Sequence, residues 1–457
     1  MPLSGPFHFI GIGGSGMSPL AEILRAQGFA VSGSDEKASE TTAKLSAMGV
    51  RIHVGHAAGN VEGARCLVVS SAIRESNLEL GAARVRGLRI IHRGDLLEAV
   101  MAPFGTRIAV SGSHGKTTTT AMVTGILEAA GFDPTALVGG KLKGLESGAR
   151  AGSGDTFVTE ADESDRSFLK LHPSHALVTN VDREHLDTYR DLDDVTAAFA
   201  TFALGVPATG RAVLCADDDT TAALATLVGA RALTYGFGDS ADVRGTLSTT
   251  PSGFPSVAGA GPLGEFRFTL GVSGAMNAIN ALGAMALAQS LGVAPALAAR
   301  SLEGFRGVAR RLEWKGSRNG VDVWDDYGHH PTEILATLQA LKDRNPGRRV
   351  VVLFQPHRVT RTRALWTEFT EAFGLADLLW LADIYRAGED AEAGISAERL
   401  AAAITARGQV ARYAGSLADA GEALLPALRE GDLLLTLGAG DVVDVGEAFV
   451  AREGVAR

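Results

Sequence analysis

The 457-residue sequence has few cysteines, and it lacks both a long apolar run and a long basic run. Cys66 and Cys215 each lie in an apolar, strand-like segment, so we interpret them as buried reduced thiols rather than a disulfide or a metal pair. No segment resembles a signal peptide or the roughly 18 apolar residues of a membrane span. We therefore expect a cytoplasmic protein without a membrane span.

The charge balance is acidic, with 43 lysines and arginines against 52 aspartates and glutamates. Without a basic run, nucleic acid is not expected as a partner. The chain length predicts two to four domains, since a domain takes roughly 100–200 residues. The 56 glycines are spread through short loops, which is typical of many tight strand-to-helix turns.

A short apolar run, a Gly-rich or polar turn and an amphipathic helix recur along the chain, which predicts an α/β fold with parallel sheets. Breaks near 101–105 and 304–308 divide it into predicted domains 1–104, 105–306 and 307–457, the two end domains being Rossmann-like. The predicted strands are Phe7–Ile10, Cys66–Val69, Arg89–Ile91, Arg107–Ser111, Phe157–Thr159, Ala176–Thr179, Val321–Trp324, Val350–Phe354, Leu378–Leu381 and Leu433–Leu437.

A glycine-rich turn, Gly11–Gly16, follows the first strand and precedes a helix. Its glycines allow a diphosphate to approach the helix N-terminus, where free N–H groups favour anions. Asp35 follows the second strand, where a ribose-binding carboxylate is expected. An NAD-dependent dehydrogenase or a purely structural turn would show the same pattern, so this motif leaves the function open.

A second glycine-rich segment, Gly112–Thr119, is a P-loop between a strand and a helix. Its backbone amides hold phosphate oxygens, Lys116 spans the β- and γ-phosphates, and the Thr117 hydroxyl reaches Mg²⁺. A P-loop weakens the dehydrogenase interpretation, because hydride transfer needs no ATP. Two nucleotide motifs suggest one nucleotide as fuel and another as a substrate handle.

Carboxylates follow two further strands, in Glu160–Asp165 and Asn180–Asp187. A carboxylate at a strand end beside a P-loop is a natural Mg²⁺ ligand. His185 lies in the second segment. A lone histidine is more often structural, but its position beside a phosphate site favours a functional role.

These motifs, in this order, resemble the Mur ligase family, which builds the peptide stem of bacterial cell-wall precursors. The resemblance covers nearly the whole chain, and its two C-terminal motifs are the most specific. The motifs are Gly11–Met17, Ser70–Ile73, Ser111–Thr119, Glu160–Asp165, Thr179–Asp187, Asp325–Glu333 and Phe354–Arg358.

The resemblance implies an ATP-dependent ligase with a UDP-binding, an ATP-binding and a closing C-terminal domain. ATP would convert the carboxylate of UDP-N-acetylmuramate to an acyl phosphate, which the amine of an amino acid, L-alanine by the closest resemblance, then attacks. Mg²⁺ would assist the phosphoryl transfer. We expect a monomer or a weak homodimer.

The resemblance also implies roles for individual residues. Those expected at the UDP-sugar are Gly11, Gly13, Gly14, Gly16, Met17, Asp35, Ser70 and Ser71. Those expected at ATP are Gly112, Ser113, His114, Gly115, Lys116, Thr117, Thr118, Asn277, Asn280, Arg310, Arg311 and Asp326. The expected metal ligands are Thr117, Glu160 and His185. The expected catalytic residues are Lys116, His329, Arg358 and Arg361, with His329 as the candidate acceptor of the amine proton.

The sequence departs from the family pattern at two points. Met276 replaces the histidine of the motif near the adenine, and methionine cannot make an imidazole's hydrogen bonds. No lysine lies between Lys170 and Lys315, so the carbamylated lysine of several relatives is absent or replaced by another group.

Two alternatives stay open beside the dehydrogenase. One is the recycling ligase that attaches a tripeptide to the same UDP-sugar, which tends to have alanine at the position of Tyr327. The other is a non-catalytic nucleotide-binding regulator, a possibility that Met276 raises.

Overall fold

The computed structural model describes residues 3–140 and 147–452, which form three α/β units with one open sheet each. The predicted α/β class is confirmed, and every predicted strand is present with ends that differ by at most two residues. Within the described ranges, no helix combines the length and the apolar character that a membrane crossing needs.

The N-terminal unit is a five-stranded, fully parallel sheet in the order β3-β2-β1-β4-β5. The strand order reverses beside β1, between β2 and β4, and such a reversal is where open α/β sheets form their binding crevice. Its elements are β1 (Phe7–Ile10), α1 (Ser18–Ala26), β2 (Val31–Asp35), α2 (Glu40–Ala47), β3 (Arg51–Val54), a 3₁₀ turn (Ala58–Val61), β4 (Cys66–Val69), α3 (Leu78–Val85), β5 (Arg89–His92) and α4 (Arg93–Met101).

The central unit has a ten-stranded sheet in the order β15-β14-β13-β12-β11-β10-β6-β9-β7-β8, antiparallel at both edges. Its strands are β6 (Thr106–Ser111), β7 (Thr135–Leu137), β8 (Ala149–Arg150), β9 (Thr156–Glu160), β10 (His175–Val178), β11 (Arg211–Cys215), β12 (Ala232–Gly236), β13 (Val243–Thr249), β14 (Pro255–Gly261) and β15 (Gly264–Thr269). Its helices are α5 (Lys116–Ala129), α6 (Leu192–Leu204), α7 (Asp219–Val228), α8 (Ala275–Ser290) and α9 (Pro295–Gly304), with 3₁₀ turns Ser167–Lys170 and Gly229–Arg231.

The C-terminal unit has a six-stranded sheet in the order β16-β17-β21-β18-β19-β20, of which β16 is the antiparallel edge. Its strands are β16 (Glu313–Arg318), β17 (Val321–Asp326), β18 (Val350–Phe354), β19 (Leu378–Leu381), β20 (Ala411–Tyr413) and β21 (Leu433–Leu437). Its helices are α10 (Pro331–Arg344), α11 (Val359–Ala364), α12 (Trp366–Glu371), α13 (Ala397–Ala406), α14 (Leu417–Leu424) and α15 (Val443–Ala451), with a 3₁₀ turn Leu425–Ala427.

The central strands of all three sheets are buried apolar runs, as helices on both faces require. For example, all five side chains of Val350–Phe354 are buried. One apolar cluster continues from the N-terminal unit into the central unit, joining Phe9 and Leu24 to Phe157 and Phe199. The C-terminal sheet has its own clusters on its two faces. The first two units thus share a core, whereas the third meets them largely through polar contacts around a cleft.

Candidate active site

Loops from all three units line a single cleft of about 950 Å³. Residues that follow β1, β6 and β17 contribute to its wall, including Gly16, Lys116 and His329. The carboxyl ends of parallel strands are where α/β proteins gather polar groups. The cleft therefore brings motifs together that lie hundreds of residues apart in the sequence.

The P-loop adopts a conformation that needs glycine at two positions. Gly112 and Gly115 have φ angles of 133° and 84°, and a Cβ on Gly112 would lie 2.0 Å from Thr179 Oγ1. Lys116 Nζ donates to the carbonyls of Gly112 at 2.6 Å and Ser113 at 3.0 Å, and to Glu163 Oε1 at 2.8 Å. Burial opposes the charge, yet nearby carboxylates, Glu163 first, raise the pKa of Lys116. A fixed ammonium therefore lies where phosphate would bind.

His114 of the P-loop connects the central unit to the C-terminal unit. Its Nε2 lies 3.0 Å from Asp182 Oδ2 and its Nδ1 lies 3.4 Å from Glu333 Oε1. Asp182 also accepts a 2.8 Å hydrogen bond from Thr332 Oγ1 at the start of α10. Although burial lowers the pKa of His114, its bonds to Asp182 and Glu333 raise it to about 10. A charged histidine thus couples the phosphate loop to the third sheet's first helix.

A half-buried carboxylate, Glu160, lies beside the end of the P-loop. Glu160 Oε2 accepts a hydrogen bond from the Gly139 amide at 2.9 Å, and its carboxylate also pairs with the Thr117 hydroxyl. Burial raises the pKa of Glu160 despite the charge of Lys116. A raised carboxyl pKa shows that the negative charge is not fully compensated by the protein.

A second acidic group lies beside it. Ligand atoms of Glu163, Glu184 and His185 lie within 4.8 Å of one another. Glu163 Oε2 and Glu184 Oε1 are buried without a hydrogen-bond partner, and unpaired buried carboxylate oxygens are rare. Carboxylate oxygens and a histidine nitrogen at such spacing suit a divalent cation. Of the predicted ligands, His185 belongs to this cluster, and Thr117 and Glu160 line the same cleft.

The two neighbouring arginines predicted at ATP have different environments. Arg310 donates to Asp325 Oδ2 at 3.1 Å and to the carbonyls of Gly438 and Gly440, so the C-terminal unit uses its donors. Both arginines line the cleft. Arg311 lies 3.7 Å from Glu333, and the negative charges of Glu333, Asp326 and Glu160 raise its pKa against the effect of burial. Arg311 is therefore the arginine whose charge interacts with Glu160 beside the P-loop.

Two histidines of the C-terminal unit have lowered pKa values, and their hydrogen bonds define their tautomers. His329 Nδ1 lies 3.0 Å from the Tyr327 carbonyl, which can only accept, so Nε2 carries the lone pair. Burial, followed by the charge of Arg361, lowers the pKa of His329 to about 4. His357 Nδ1 accepts from Arg361 Nη1 at 3.0 Å, and burial lowers its pKa to about 2.

The predicted catalytic arginines meet the acidic loop of the central unit. Arg358 Nη1 donates to Asp187 Oδ2 at 2.9 Å, and Arg361 Nε lies 3.6 Å from Glu184 Oε1. Both arginines line the cleft together with His185. Guanidinium groups bind carboxylates and phosphates in a bidentate manner, so this wall suits an anionic substrate group.

Several residues predicted at ATP lie outside the cleft wall. Asp326 accepts backbone hydrogen bonds from Leu312 at 2.6 Å and Gly328 at 2.7 Å, and burial raises its pKa to about 6. Asn277 Nδ2 donates to the Ser273 carbonyl at 2.7 Å. Asn280 is also buried, and a Cβ on Gly115 would lie 2.5 Å from its Oδ1. Asn280 therefore lies against the P-loop, whereas Asp326 and Asn277 bind backbone groups outside it.

Met276 packs against the apolar core of the C-terminal unit. Beside it, Arg344 of α10 donates to Ser273 Oγ at 2.9 Å. The Arg344 guanidinium also lies 4.4 Å from the Phe254 ring and 5.2 Å from the Trp324 ring. Met276, which departs from the family pattern, therefore makes an apolar contact between the central and C-terminal units.

The first glycine turn is fixed by the end of β2. The Ser34 carbonyl accepts hydrogen bonds from the amides of Gly11 at 2.8 Å and Ile12 at 3.0 Å. Asp35 Oδ2 accepts from the Gly13 amide at 2.8 Å, so this predicted ribose ligand also supports the turn. Met17 is 3% exposed and belongs to the apolar core.

A junction between the first two units was not predicted from the sequence. Ser71 Oγ donates to Asp165 Oδ2 at 2.9 Å, which places one predicted UDP-sugar residue at this junction. Arg93 Nη2 donates to Asp162 at 2.7 Å and Asp165 at 3.1 Å, and a Cβ on Gly16 would lie 2.9 Å from its Nη1. In the sequence, Arg93 lies just after a predicted strand, but its partners depend on how the first two units pack against each other.

Sequence reasoning assigned no role to four residues that the structure brings into the site: Asp182, Glu163, Glu184 and Glu333. Each lies within a motif already noted, in a segment that follows a strand. The sequence feature that these residues share is an acidic side chain close to a predicted site residue. Such a position does not distinguish a ligand from a surface charge.

The fold and the cleft define a P-loop nucleotide-binding protein built from three α/β units. Its N-terminal part, residues 6–105, matches the family model of the Mur ligase catalytic domain. Residues 110–288 match the Mur ligase middle domain, and residues 310–440 match the Mur ligase glutamate ligase domain. The chain belongs to the Mur ligase family.

Curated relatives with known names align over nearly the whole chain. A UDP-N-acetylmuramate–L-alanine ligase from Desulfatibacillum aliphaticivorans is 46% identical over 448 residues, covering 97% of this chain and 98% of that protein. Another from Sorangium cellulosum (strain So ce56) is 48% identical over 442 residues, covering 95% and 93%.

Solved structures agree with this relationship. A UDP-N-acetylmuramate-alanine ligase from Thermotoga maritima has a TM-score of 0.84 at 29% identity, with 98% of both chains covered. A murein peptide ligase from Psychrobacter arcticus has a TM-score of 0.75 with 98% and 99% coverage, and at 24% identity this similarity concerns the fold alone.

Proposed function

We propose that this protein joins L-alanine to the carboxylate of UDP-N-acetylmuramate in an ATP-dependent reaction of peptidoglycan precursor synthesis. The observation that carries the proposal is the single cleft in which Lys116 of the P-loop faces His329, Arg358 and Arg361 of the third unit. The names of relatives at 45–48% identity support the two substrates.

The first step activates a poor acylating agent. The carboxylate oxygen attacks the γ-phosphorus of ATP, the bond to the β-phosphate oxygen breaks, and an acyl phosphate and ADP result. Such a transfer depends on positioning and charge neutralisation rather than on covalent catalysis. The P-loop amides and Lys116 neutralise the phosphates, and Arg311 adds a second positive charge from the C-terminal unit.

We propose that Mg²⁺ binds beside the P-loop, held by Thr117, Glu160 and His185. Glu163 is a further candidate, supported by its buried Oε2 without a partner. When bound, Mg²⁺ would neutralise charge on the transferred phosphoryl group. No lysine lies between Lys170 and Lys315 to offer the carbamylated bridge of several relatives, so carboxylates are the alternative ligands.

The second step forms the amide. The amine of alanine attacks the acyl carbon, a tetrahedral intermediate forms, and inorganic phosphate leaves as the carbonyl is restored. Arg358 and Arg361 suit the anionic groups of the two substrates. His329 has its lone pair on Nε2, which makes it the candidate acceptor of the proton that the amine loses.

The first glycine turn is proposed to bind the UDP part of the substrate. Gly11, Gly13, Gly14 and Gly16 give the diphosphate access to the start of α1, with Asp35, Ser70 and Ser71 nearby. Membership in the Mur ligase family decides against the NAD-dependent dehydrogenase that this motif alone suggested. In this proposal residues 1–104 bind the UDP-sugar, 105–306 bind ATP, and 307–457 complete the site.

A panel of amino acids with UDP-N-acetylmuramate and ATP tests the function. L-alanine should give the highest kcat/KM for ADP release, above glycine and L-serine. If the tripeptide substrate of the recycling ligase gave the higher kcat/KM, that alternative would replace the proposal. No turnover with any acceptor would favour a nucleotide-binding regulator.

We further propose a cytoplasmic location and a monomer or weak homodimer. The reaction consumes ATP and a nucleotide-linked sugar, both of which are made inside the cell. Cell fractionation and sedimentation velocity across a concentration series test these two points. Recovery of the protein in the periplasm, or a stable higher oligomer, would contradict them.

A further inference from the structure

A carboxylate in the N-terminal unit is fully buried although it lies outside the cleft wall. Glu79, in the first turn of α3, is 0% exposed. A buried carboxylate is costly unless it is hydrogen-bonded, and an apolar side chain of similar size would fill the same space without that cost. Glu79 therefore needs an explanation in terms of the groups it binds.

Three separate segments of the unit donate hydrogen bonds to Glu79. Its Oε2 accepts from His8 Nε2 of β1 at 3.2 Å and from Ser34 Oγ of β2 at 2.6 Å. Its Oε1 accepts from Asn60 Nδ2 at 2.6 Å and from the Ala57 amide at 3.3 Å, both after β3. Burial alone would raise the pKa of Glu79, but the bonds from His8, Ser34 and Asn60 lower it to about 2. The group is thus a charged acceptor.

The hydrogen bonds have a defined direction. Because Ser34 Oγ donates to Glu79, the 3.0 Å contact between Ser34 Oγ and His56 Nδ1 must have the histidine as donor. Asn60 Nδ2 also donates to the Gly55 carbonyl at 3.0 Å. Glu79 therefore fixes both the end of β2 and the loop that follows β3.

The end of β2 and the loop after β3 hold the glycine turn Gly11–Gly16 in place. The Ser34 carbonyl accepts the amides of Gly11 and Ile12, and the next residue, Asp35, accepts the Gly13 amide. The Asp35 carbonyl in turn accepts the Gly55 amide at 2.7 Å. A chain of direct hydrogen bonds thus runs from Glu79 through Ser34 and Asn60 to the turn proposed to hold the substrate diphosphate.

We propose that Glu79 is a positioning residue for the UDP-sugar, which sets the glycine turn in its binding conformation through Ser34 and Asn60. The inference rests on the proposed function, because it assigns the turn to the UDP part of the substrate. Binding of ATP depends on the P-loop of the central unit, so Glu79 has no path of comparable directness to the ATP site. Removing the charge of Glu79 should therefore raise the KM for the UDP-sugar and leave the KM for ATP unchanged.

The test compares Glu79→Gln with the matched control Glu75→Gln in the full-length protein. Glu75 lies four residues earlier, its side chain is 79% exposed, and it pairs with Arg84. The isosteric amide at position 79 cannot accept from every donor that faces the carboxylate. KM and kcat are measured separately with UDP-N-acetylmuramate and ATP as the varied substrate, and binding of UDP-N-acetylmuramate is measured by calorimetry.

For Glu79→Gln we expect KM and Kd for UDP-N-acetylmuramate to rise about tenfold, the scale of one lost charge-assisted hydrogen bond. The ATP KM and the saturated kcat should stay within about twofold of the wild type, and Glu75→Gln should match the wild type. Glu79→Asp retains the charge and should recover part of the affinity. Equal losses for both substrates, or an unchanged KM for the UDP-sugar, would overturn the inference.

If Glu79→Gln does not fold, Asn60→Ala replaces it, since this change removes one donor and leaves the carboxylate its other partners. It should raise the KM for the UDP-sugar about threefold and leave the ATP KM unchanged, and an unaltered KM overturns the inference. Failure of the proposed function is distinguishable, because the wild type would then show no turnover with UDP-N-acetylmuramate and any amino acid.

Discussion

The two glycine turns, Gly11–Gly16 and Gly112–Thr119, use the same local design for different purposes. Each follows a parallel strand and leads into a helix, whose N-terminus favours anions. The first turn contains no charged side chain, and the end of β2 holds its amides. The second contains Lys116 and His114, which pair with carboxylates from two units. The difference agrees with the proposed roles, in which the first turn binds the UDP part of the substrate and the second takes part in phosphoryl transfer.

The largest effect should come from removing the charge that sets the second turn apart. Lys116→Ala should lower kcat by about 10²–10³-fold, the scale of losing a preorganised group that stabilises transition-state charge. ADP release measures the loss, and circular dichroism checks that the fold is intact. Lys170→Ala is the control, since this exposed lysine pairs with Asp95. Undiminished activity of Lys116→Ala would remove the P-loop from the mechanism.

The adjacent arginines give the next test, because only Arg311 is proposed to act on the second turn. Arg311→Ala should lower kcat/KM for ATP about 10–100-fold, as expected for a lost hydrogen bond to a charged group, and leave the KM for the UDP-sugar unchanged. Arg310→Ala should instead lower the urea midpoint, because Asp325 is left buried without its ion pair. If Arg310→Ala lowered kcat/KM for ATP and Arg311→Ala lowered only the urea midpoint, the proposed roles of the two arginines would be exchanged.

A smaller effect should follow from adding a methyl group to the first turn. In Gly13→Ala the new Cβ would lie 2.9 Å from Asp35 Oδ2, so the carboxylate must move away from the amide it binds. The KM for the UDP-sugar should rise about tenfold or less, with the ATP KM unchanged. Gly59→Ala is the control, since its Cβ would meet no atom within 4 Å. A selective effect on ATP would contradict the division of labour.

The smallest effect concerns pH and His114. Its folded pKa of about 10 lies above the ordinary value of 6.5, so its stabilising charge is complete below about 6.5 and is lost as pH rises through 10. Between pH 7.5 and 8.5 the wild type should lose on the order of 1 kcal/mol relative to His114→Gln. Urea midpoints measure this, with the exposed His172→Gln as control. Parallel pH profiles would show that His114 is neutral in the folded protein.

Most of the fold was predictable, because periodicity and glycine turns are local signals. The strands at Phe7–Ile10 and Val350–Phe354 were predicted with their observed ends, since an apolar run bounded by turn residues is characteristic of a buried parallel strand. Part of the site was predictable for the same reason. Lys116 and Glu160 follow their strands at positions where α/β folds place binding residues.

The remaining features depend on packing between units. The sequence does not distinguish the roles of Arg310 and Arg311. Their environments differ in the structure because a different carboxylate lies within reach of each guanidinium. The same holds for Glu79, whose partners lie 19 to 71 residues away along the chain. Nothing in the local sequence marks it as buried.

The sequence by itself determined the α/β class, the buried central strands, the two glycine turns and the family resemblance, because strand periodicity and turn chemistry act between neighbouring residues. The tertiary structure decided which charges meet. It joined His114 to α10, gave Met276 an apolar role between units, and made Glu79 the acceptor for three segments. Electrostatic and hydrogen-bond energies depend on distance in space and on burial, and neither quantity can be read from separation along the chain.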